Sequence, residues 1–315
     1  MNLPVQPGVE VPNCSAIGVD VGGTKIAAGL VIFPKGEVRE RRQIPTSPAR
    51  GGDAVLADVL RLCAELSAAA RSQSRRVECI GIGLCELVDL EGNVASENCI
   101  AWKGLPVREK MSKLAPTILE ADVRAAALAE AMFGAGKPFK QFLYVTVGTG
   151  ISCCLVLDGM PFTGAHGATG TMASSPLSIE CEHCGVVNHR TLEEIASGPA
   201  LVTRFNQRRP VGVESGQAVL AAAGTGDKDA AHVVHSGGEA LGTSVGLLVN
   251  VLDPEAVIVG GGLGLSDGLF WESFLASTRQ HIWSATHRDL PILRATTGPD
   301  AGVIGAAAAA WKKCT

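Results

Sequence analysis

The chain has 315 residues, 46% hydrophobic and 18% charged, with a net charge of −4. That length exceeds the roughly 250–300 residues at which one core stops growing, so two lobes with a cleft between them are expected. The near-balance of 27 basic and 31 acidic residues argues against a dedicated nucleic-acid binder, and no uncharged apolar run reaches the ~20 residues that span a bilayer. Glycine is the outlier, at 38 residues, or about 12% against a usual ~7%. It points to many tight turns, some able to hold a ligand. Most of the ten cysteines lie inside apolar runs, where the thiol behaves as a small hydrophobe. With no basic-then-apolar leader, a reduced, soluble, cytoplasmic protein is expected, and only Cys181 and Cys184 stand out from core filler.

In chain order, Ser15 to Val21 reads as an apolar strand, Gly22-Gly23 as a turn, and Lys25 to Phe33 as the returning strand. Residues 53–71 carry apolar positions at helical spacing. Cys79 to Val88 is a short buried strand, followed by a polar, turn-rich stretch from Asp89 to Lys103. Val107 to Leu114 reads as a helix. Ile118 and Leu119 lead into Asp122, after which Val123 to Met132 is alanine-rich and strongly helical. A second strand pair, Phe142 to Val147 and Ile151 to Leu157, turns at Gly148-Thr149-Gly150. Residues 164–190 read as irregular, helix returns after Leu192, and residues 239–252 form an apolar helix. Ala256 to Val259 is a buried strand running into Gly260-Gly261-Gly262. A strand near Ile292 and a Gly/Ala-rich helix from Ala301 to Lys312 close the chain. The two glycine-turned hairpins echo each other, with Gly22 and Gly148 standing 126 residues apart, about one domain length.

Neither the dinucleotide-binding glycine fingerprint nor the P-loop pattern is present. What remains is another way to grip a nucleotide. In Asp20-x-Gly22-Gly23-Thr24-Lys25, glycines let backbone N–H groups approach phosphate oxygens, Thr24 adds a hydroxyl, and Asp20 can hold magnesium through water. A plain hairpin turn is the competing reading, since Gly-Gly favours one. Gly148-Thr149-Gly150 offers a second phosphate-facing turn. Gly261 and Gly262 offer side-chain-free backbone for an adenine or ribose, or a tight strand-to-helix turn. Asp122 at a helix start is either an N-cap or a carboxylate kept ionised by the helix dipole, ready to take a hydroxyl proton in phosphoryl transfer. Both roles can coexist.

These motifs together resemble the ROK family (repressor, open reading frame, kinase) over roughly residues 15 to 312. The match rests on Gly18-Val-Asp20-Val-Gly22-Gly23-Thr24-Lys25, on Gly148-Thr149-Gly150, and on Asp122 before an alanine-rich helix. Asp253-Pro254 leading to the Gly260 triplet, and Leu192-Glu193 before Ser197-Gly198, complete it. The resemblance implies an α/β, two-lobed, duplicated ribonuclease-H-like (actin-like ATPase) fold with a central cleft. Residues 1–121 plus 302–315 would form the small lobe and 122–301 the large one. It also implies ATP with Mg2+, Asp122 as base, a small-molecule sugar substrate phosphorylated at O6, and a homo-oligomer, a dimer. Family repressors carry a helix-turn-helix domain ahead of the first phosphate loop, and the short stretch before Gly18 leads to an expectation of no nucleic-acid partner. The alternative is a catalytically weak sugar-binding or sensing protein.

The sugar side departs from the family pattern. Ala121 replaces the Asn that precedes the catalytic Asp, Thr171 and Ser174 replace a Glu and a His, and Glu86 stands where a Pro-Gly step is usual. Glu193 is retained, and Asn98 lies in a stretch like the family's sugar-side loop. These five, Asn98, Glu193, Glu86, Thr171 and Ser174, are the sugar-binding candidates. For zinc, the family's cysteine-rich run reads here as Cys181, His183, Cys184 and His189, with His166 a further candidate. Two thiolates and one or two imidazoles are a set that suits tetrahedral zinc.

Overall fold

The computed structural model describes residues 14–174, 176–180, 184–185 and 187–314. The first apolar run forms β1 (Ser15–Val21), which turns through the glycines into β2 (Lys25–Ile32). The next strand, β3 (Glu37–Pro45), is unannounced by any apolar run. It lies at a sheet edge, with exposed and half-buried residues alternating along it. Then follow α1 (Gly52–Ser72), β4 (Val77–Leu84), α2 (Val107–Ser112), β5 (Thr117–Ala121) and α3 (Asp122–Phe133). β4 ends at Leu84, short of the expected Val88, because the chain then leaves the sheet around Glu86.

The second half opens with the hairpin of β6 (Gln141–Val147) and β7 (Ile151–Leu157), extended by β8 (Met160–Pro161). Within the stretch read as irregular, β9 (Pro176–Glu180) and β10 (Val187–Thr191) pair as a separate two-stranded ribbon. Helices α4 (Glu193–Ala196), α5 (Gly198–Asn206), α6 (Gly216–Gly224) and α7 (Lys228–Leu252) lead to β11 (Ala256–Gly260). Helix α8 (Leu269–His281), β12 (Ile292–Arg294) and α9 (Ala301–Cys314) follow.

The two five-stranded sheets have one topology. The first runs β3-β2-β1-β4-β5 and the second β8-β7-β6-β11-β12, each an antiparallel meander continued by two parallel strands. The hairpin echo in the sequence is therefore one visible end of a whole duplicated unit. Each sheet has its own core, with Ile17, Val19, Leu62 and Trp102 in the first and Leu143, Val145, Leu241 and Phe270 in the second.

One compact unit runs to Ala129 and resumes at Asp300, and the other is Glu130–Pro299. The expected division fell at Asp122 and Gly302; the first unit here also takes in the start of α3. A Cβ on Gly305 of α9 would stand 1.7 Å from the Ala125 carbonyl oxygen, and one on Gly81 of β4 would stand 1.7 Å from that of Ala306. Helix α9 thus lies backbone against backbone on β4 and α3. Part of the glycine surplus serves this close packing, not turns. Among the described residues no helix is long and apolar enough to cross a membrane.

Candidate active site

In the first unit, β1 delivers Asp20 and the junction of β5 with α3 delivers Asp122. Burial, followed by the charge of Asp20, pushes the Asp122 carboxyl up to about 7, against a downward pull from its hydrogen bond with Val123 N–H. That bond, 2.6 Å long, comes from the adjacent residue. A capping carboxylate takes an N–H two or three residues on, so the cap reading finds no support. The helix-dipole expectation of an ordinary ionised acid is also corrected, since desolvation outweighs it. The result suits the proposed chemistry, because a base that accepts a hydroxyl proton works best with its pKa near the operating pH.

Asp20 is likewise raised, to about 6, by burial, and Lys25 only partly opposes this. Among the described residues no hydrogen-bond donor reaches its carboxylate, and Gly302 leaves it room, since a Cβ there would meet Asp20 Oδ2 at 2.5 Å. A half-buried carboxylate short of donors, beside a second acid, is a hard oxygen set of the kind Mg2+ takes.

The turn after Asp20 is tight: Gly22 N–H donates to Lys25 O at 3.0 Å, and Thr46 N–H donates to Thr24 O at 3.0 Å. The buried Thr46 hydroxyl donates to Gly22 O at 2.6 Å. No sequence signal marked Thr46. The amides of Gly23 and Thr24 have no acceptor among the described residues, which leaves them for an anion. Against this turn lies the Asn98–Cys99 segment, whose Cys99 Sγ is 2.5 Å from where a Gly23 Cβ would be. Asn98 is exposed, with no described partner for its side-chain amide. Glu86, expected to touch sugar, is buried with its carboxylate engaged by the backbone of residues 98–100, so it does not face a ligand.

In the second unit, glycines converge on the β6–β7 turn. Gly148 N–H donates to Gly150 O and Gly198 N–H to Gly148 O, both at 2.9 Å. A Cβ on Gly216 would lie 3.3 Å from Gly198 Cα, and one on Gly148 3.8 Å from Gly262 N. Ser197 caps α5 and Ser215 caps α6, so two helix starts meet this turn. Among the described residues the amides of Thr149, Gly150, Gly216, Gln217 and Gly262 have no acceptor. Donors gathered where helix dipoles are positive make a site for phosphate. The sequence reading missed Gly216 and Gln217. The signal was there in a repeated Ser-Gly step, at Ser197-Gly198 and Ser215-Gly216. Gly261 has a packing role instead: φ is 82°, and a Cβ would be 2.4 Å from Val147 O.

Glu193 accepts the Ile151 N–H at 2.9 Å through Oε2, bracing the turn. It lines a cavity of about 400 Å3 with Thr149, Arg190 and Ser197. Thr171 and Ser174 are exposed, and the Ser174 hydroxyl donates to Thr171 O at 2.8 Å. Of the zinc candidates, Cys181 and His183 lie outside the described residues, while Cys184 and His189 are exposed. Among the described residues no group of three or more His, Cys, Asp or Glu side chains gathers to hold a metal. The residues in view do not assemble a zinc site.

The sequence profile of the ROK family matches residues 16–313. The chain belongs to the ROK family. It is 30% identical to the glucokinase of Halalkalibacterium halodurans, over 92% of this chain and 92% of that protein. It is also 30% identical to the N-acetylmannosamine kinase of Shigella boydii, over 93% of this chain and 97% of that one. Among solved structures, a ROK family glucokinase from Streptomyces griseus in complex with glucose and AMPPNP aligns with a TM-score of 0.80. That enzyme is 28% identical, with 95% of this chain and 99% of that chain covered. The α/β fold of this ROK protein is the actin-like ATPase fold, and its repeated sheet order is the mark of the duplication.

Proposed function

We propose that this ROK protein is a sugar kinase that moves the γ-phosphoryl of ATP to a hydroxyl, O6, of a neutral hexose or hexose derivative, with Asp122 as general base. The observation that carries the reading is the Asp122 carboxyl held near neutral pKa beside Asp20. Asp122 takes the proton of the acceptor hydroxyl as its oxygen bonds to the γ-phosphorus. The bond from that phosphorus to the β–γ bridging oxygen breaks, so ADP leaves and a sugar phosphate forms. The free amides of Gly23 and Thr24 on the first unit, and those of Thr149, Gly150, Gly216, Gln217 and Gly262 on the second, are each donors of the kind that hold phosphate oxygens. Magnesium at Asp20 would supply positive charge to the triphosphate. Asp20 and Glu86 both push the Asp122 pKa up through their negative charge, so an acceptor bearing its own negative charge is disfavoured beside them. Asn98 provides an amide to sugar hydroxyls.

The test is ADP release with Mg2+ and a panel of hexoses, N-acetylated hexosamines and pentoses. Turnover with one neutral sugar, yielding sugar phosphate and ADP in equal amounts, supports the kinase. Sugar binding with no ADP above the sugar-free rate supports a sensing protein instead.

A further inference from the structure

We propose that Glu86 is the positioning residue of the acceptor side: its carboxylate folds the 96–100 loop and so holds Asn98 beside the first phosphate turn. The proposal rests on the sugar-kinase reading, in which Asn98 meets the acceptor.

Glu86 follows the end of β4 by two residues, where Cys85 N–H still donates to Val21 O at 3.1 Å. Its side chain is only 4% exposed. Three successive backbone amides converge on it: Asn98 N–H at 2.9 Å to Oε2, and Cys99 and Ile100 N–H at 2.5 and 2.8 Å to Oε1. The Ser96 hydroxyl donates to Oε2 as well, and itself accepts Leu87 N–H at 2.8 Å. Successive N–H groups curled round one centre form an anion-binding nest. Here the chain fills the nest with its own carboxylate. Burial by itself would raise the Glu86 pKa, but the bonds from Ser96, Asn98, Ile100 and Cys99 outweigh it and hold the carboxyl below its usual range. The group is therefore an anion when the loop is folded.

Residues 98–102 belong to no helix or strand. The segment is pinned on both sides of the nest. Before it, Ala95 N–H donates to Leu87 O at 2.8 Å and Val94 bridges to Val88. After it, Ile100 and Trp102 are buried, with Trp102 Nε1–H donating to Gly52 O at 2.8 Å. The Cys99 thiol also contacts that of Cys85. Between Ser96 and Ile100, the Glu86 carboxylate is what turns the backbone. The turn presents the Asn98 side chain outward and sets Cys99 Sγ against Gly23. Glu86→Gln keeps one oxygen for two of these amides but sets an NH2 group against the Asn98 N–H, so the loop loosens on the Asn98 side.

The experiment compares Glu86→Gln, Asn98→Ala and the double variant, with Ser96→Ala as the milder substitution should Glu86→Gln fold poorly. Two readouts are taken: steady-state KM for sugar and for ATP, and amide hydrogen exchange of residues 98–100 in the unliganded protein. Glu86→Gln is expected to raise sugar KM about tenfold, the scale of losing hydrogen bonds to a charged acceptor, while ATP KM stays within about twofold and exchange at 98–100 accelerates. Because Glu86 acts through Asn98, adding Glu86→Gln to Asn98→Ala is expected to raise sugar KM by less than about twofold more. Ser96→Ala moves the same readouts in the same direction by less. Unchanged exchange at 98–100 overturns the loop-folding role. Equal rises in both KM values, or fully multiplying effects in the double variant, overturn positioning through Asn98. Faster exchange together with a sugar KM that Asn98→Ala leaves unchanged overturns the acceptor-side placement of Asn98 and leaves the kinase chemistry at Asp122 untouched.

Discussion

The β1–β2 turn and the β6–β7 turn occupy the same place in two sheets of identical order, yet their surroundings differ in the balance of acids and donors. Asp20 stands on the first hairpin, and the residue 126 positions on is Thr146. Around the first turn are acids: Asp20, Asp122 and, folded inward, Glu86. Around the second are donors: capped helix starts at Gly198 and Gly216 and amides left without acceptors. The two copies of one scaffold thus differ in the groups they gather. On the kinase reading the first copy handles the proton and the cation, and the second supplies most of the donors for phosphate.

The comparison can be broken first at its acid half. Asp122→Asn is expected to lower kcat by about 10³-fold, within the usual range for a lost general base, while the Kd for ATP measured by calorimetry changes by less than about threefold. A variant within tenfold of wild type would remove the base from the account. Asp20→Asn is expected to cost about 10²-fold in kcat and to raise the Mg2+ concentration needed for half-maximal rate. Thr146→Ala, at the matching position, is expected to cost well under tenfold. Equal losses in the two variants would erase the distinction between the halves.

At the donor half, a Cβ on Gly198 would press on Gly148 O at 3.1 Å. Gly198→Ala is therefore expected to raise ATP KM about tenfold through a displaced turn and to leave sugar KM unchanged. A shift in sugar KM alone would contradict the assignment of this turn to phosphate. The smallest effect is on stability. Asp122 titrates near 7 in the folded chain against 3.8 for an unperturbed carboxyl. Between those values the native state binds more protons than the unfolded state, so stability falls as pH rises, and the loss is complete above about 7. Asp122→Asn removes that cost and is expected to raise Tm at pH 8 by several degrees. An unchanged Tm would mean that the folded chain does not strain to keep this acid charged.

Much of this was legible in the sequence because local chemistry repeats. Two apolar runs around glycines announce each hairpin, and an aspartate before an alanine-rich run announces α3. Other features depend on contacts the local pattern does not encode. Strand β3 alternates charged with half-buried residues, so it lacks an apolar signature. The convergence of Gly148, Gly198, Gly216 and Gly262 spans more than a hundred residues. Glu86 looked like a pocket residue because its partners, ten to fourteen positions downstream, are mostly backbone amides with no residue signature. The raised Asp122 pKa was not legible because sequence shows the helix start but not the burial or the neighbouring Asp20. The zinc expectation falls partly on Cys181 and His183, outside the described residues, and the exposed Cys184 and His189 do not assemble a set of ligands.

The most direct test of the central claim is the pH dependence of kcat/KM for the sugar at saturating Mg2+ and ATP. If Asp122 is the base, the wild type rises with pH through an acid limb with an apparent pKa near 7, and the residual activity of Asp122→Asn has no such limb. A wild-type profile flat from about pH 5 to 8, or the same limb surviving in Asp122→Asn, would contradict it.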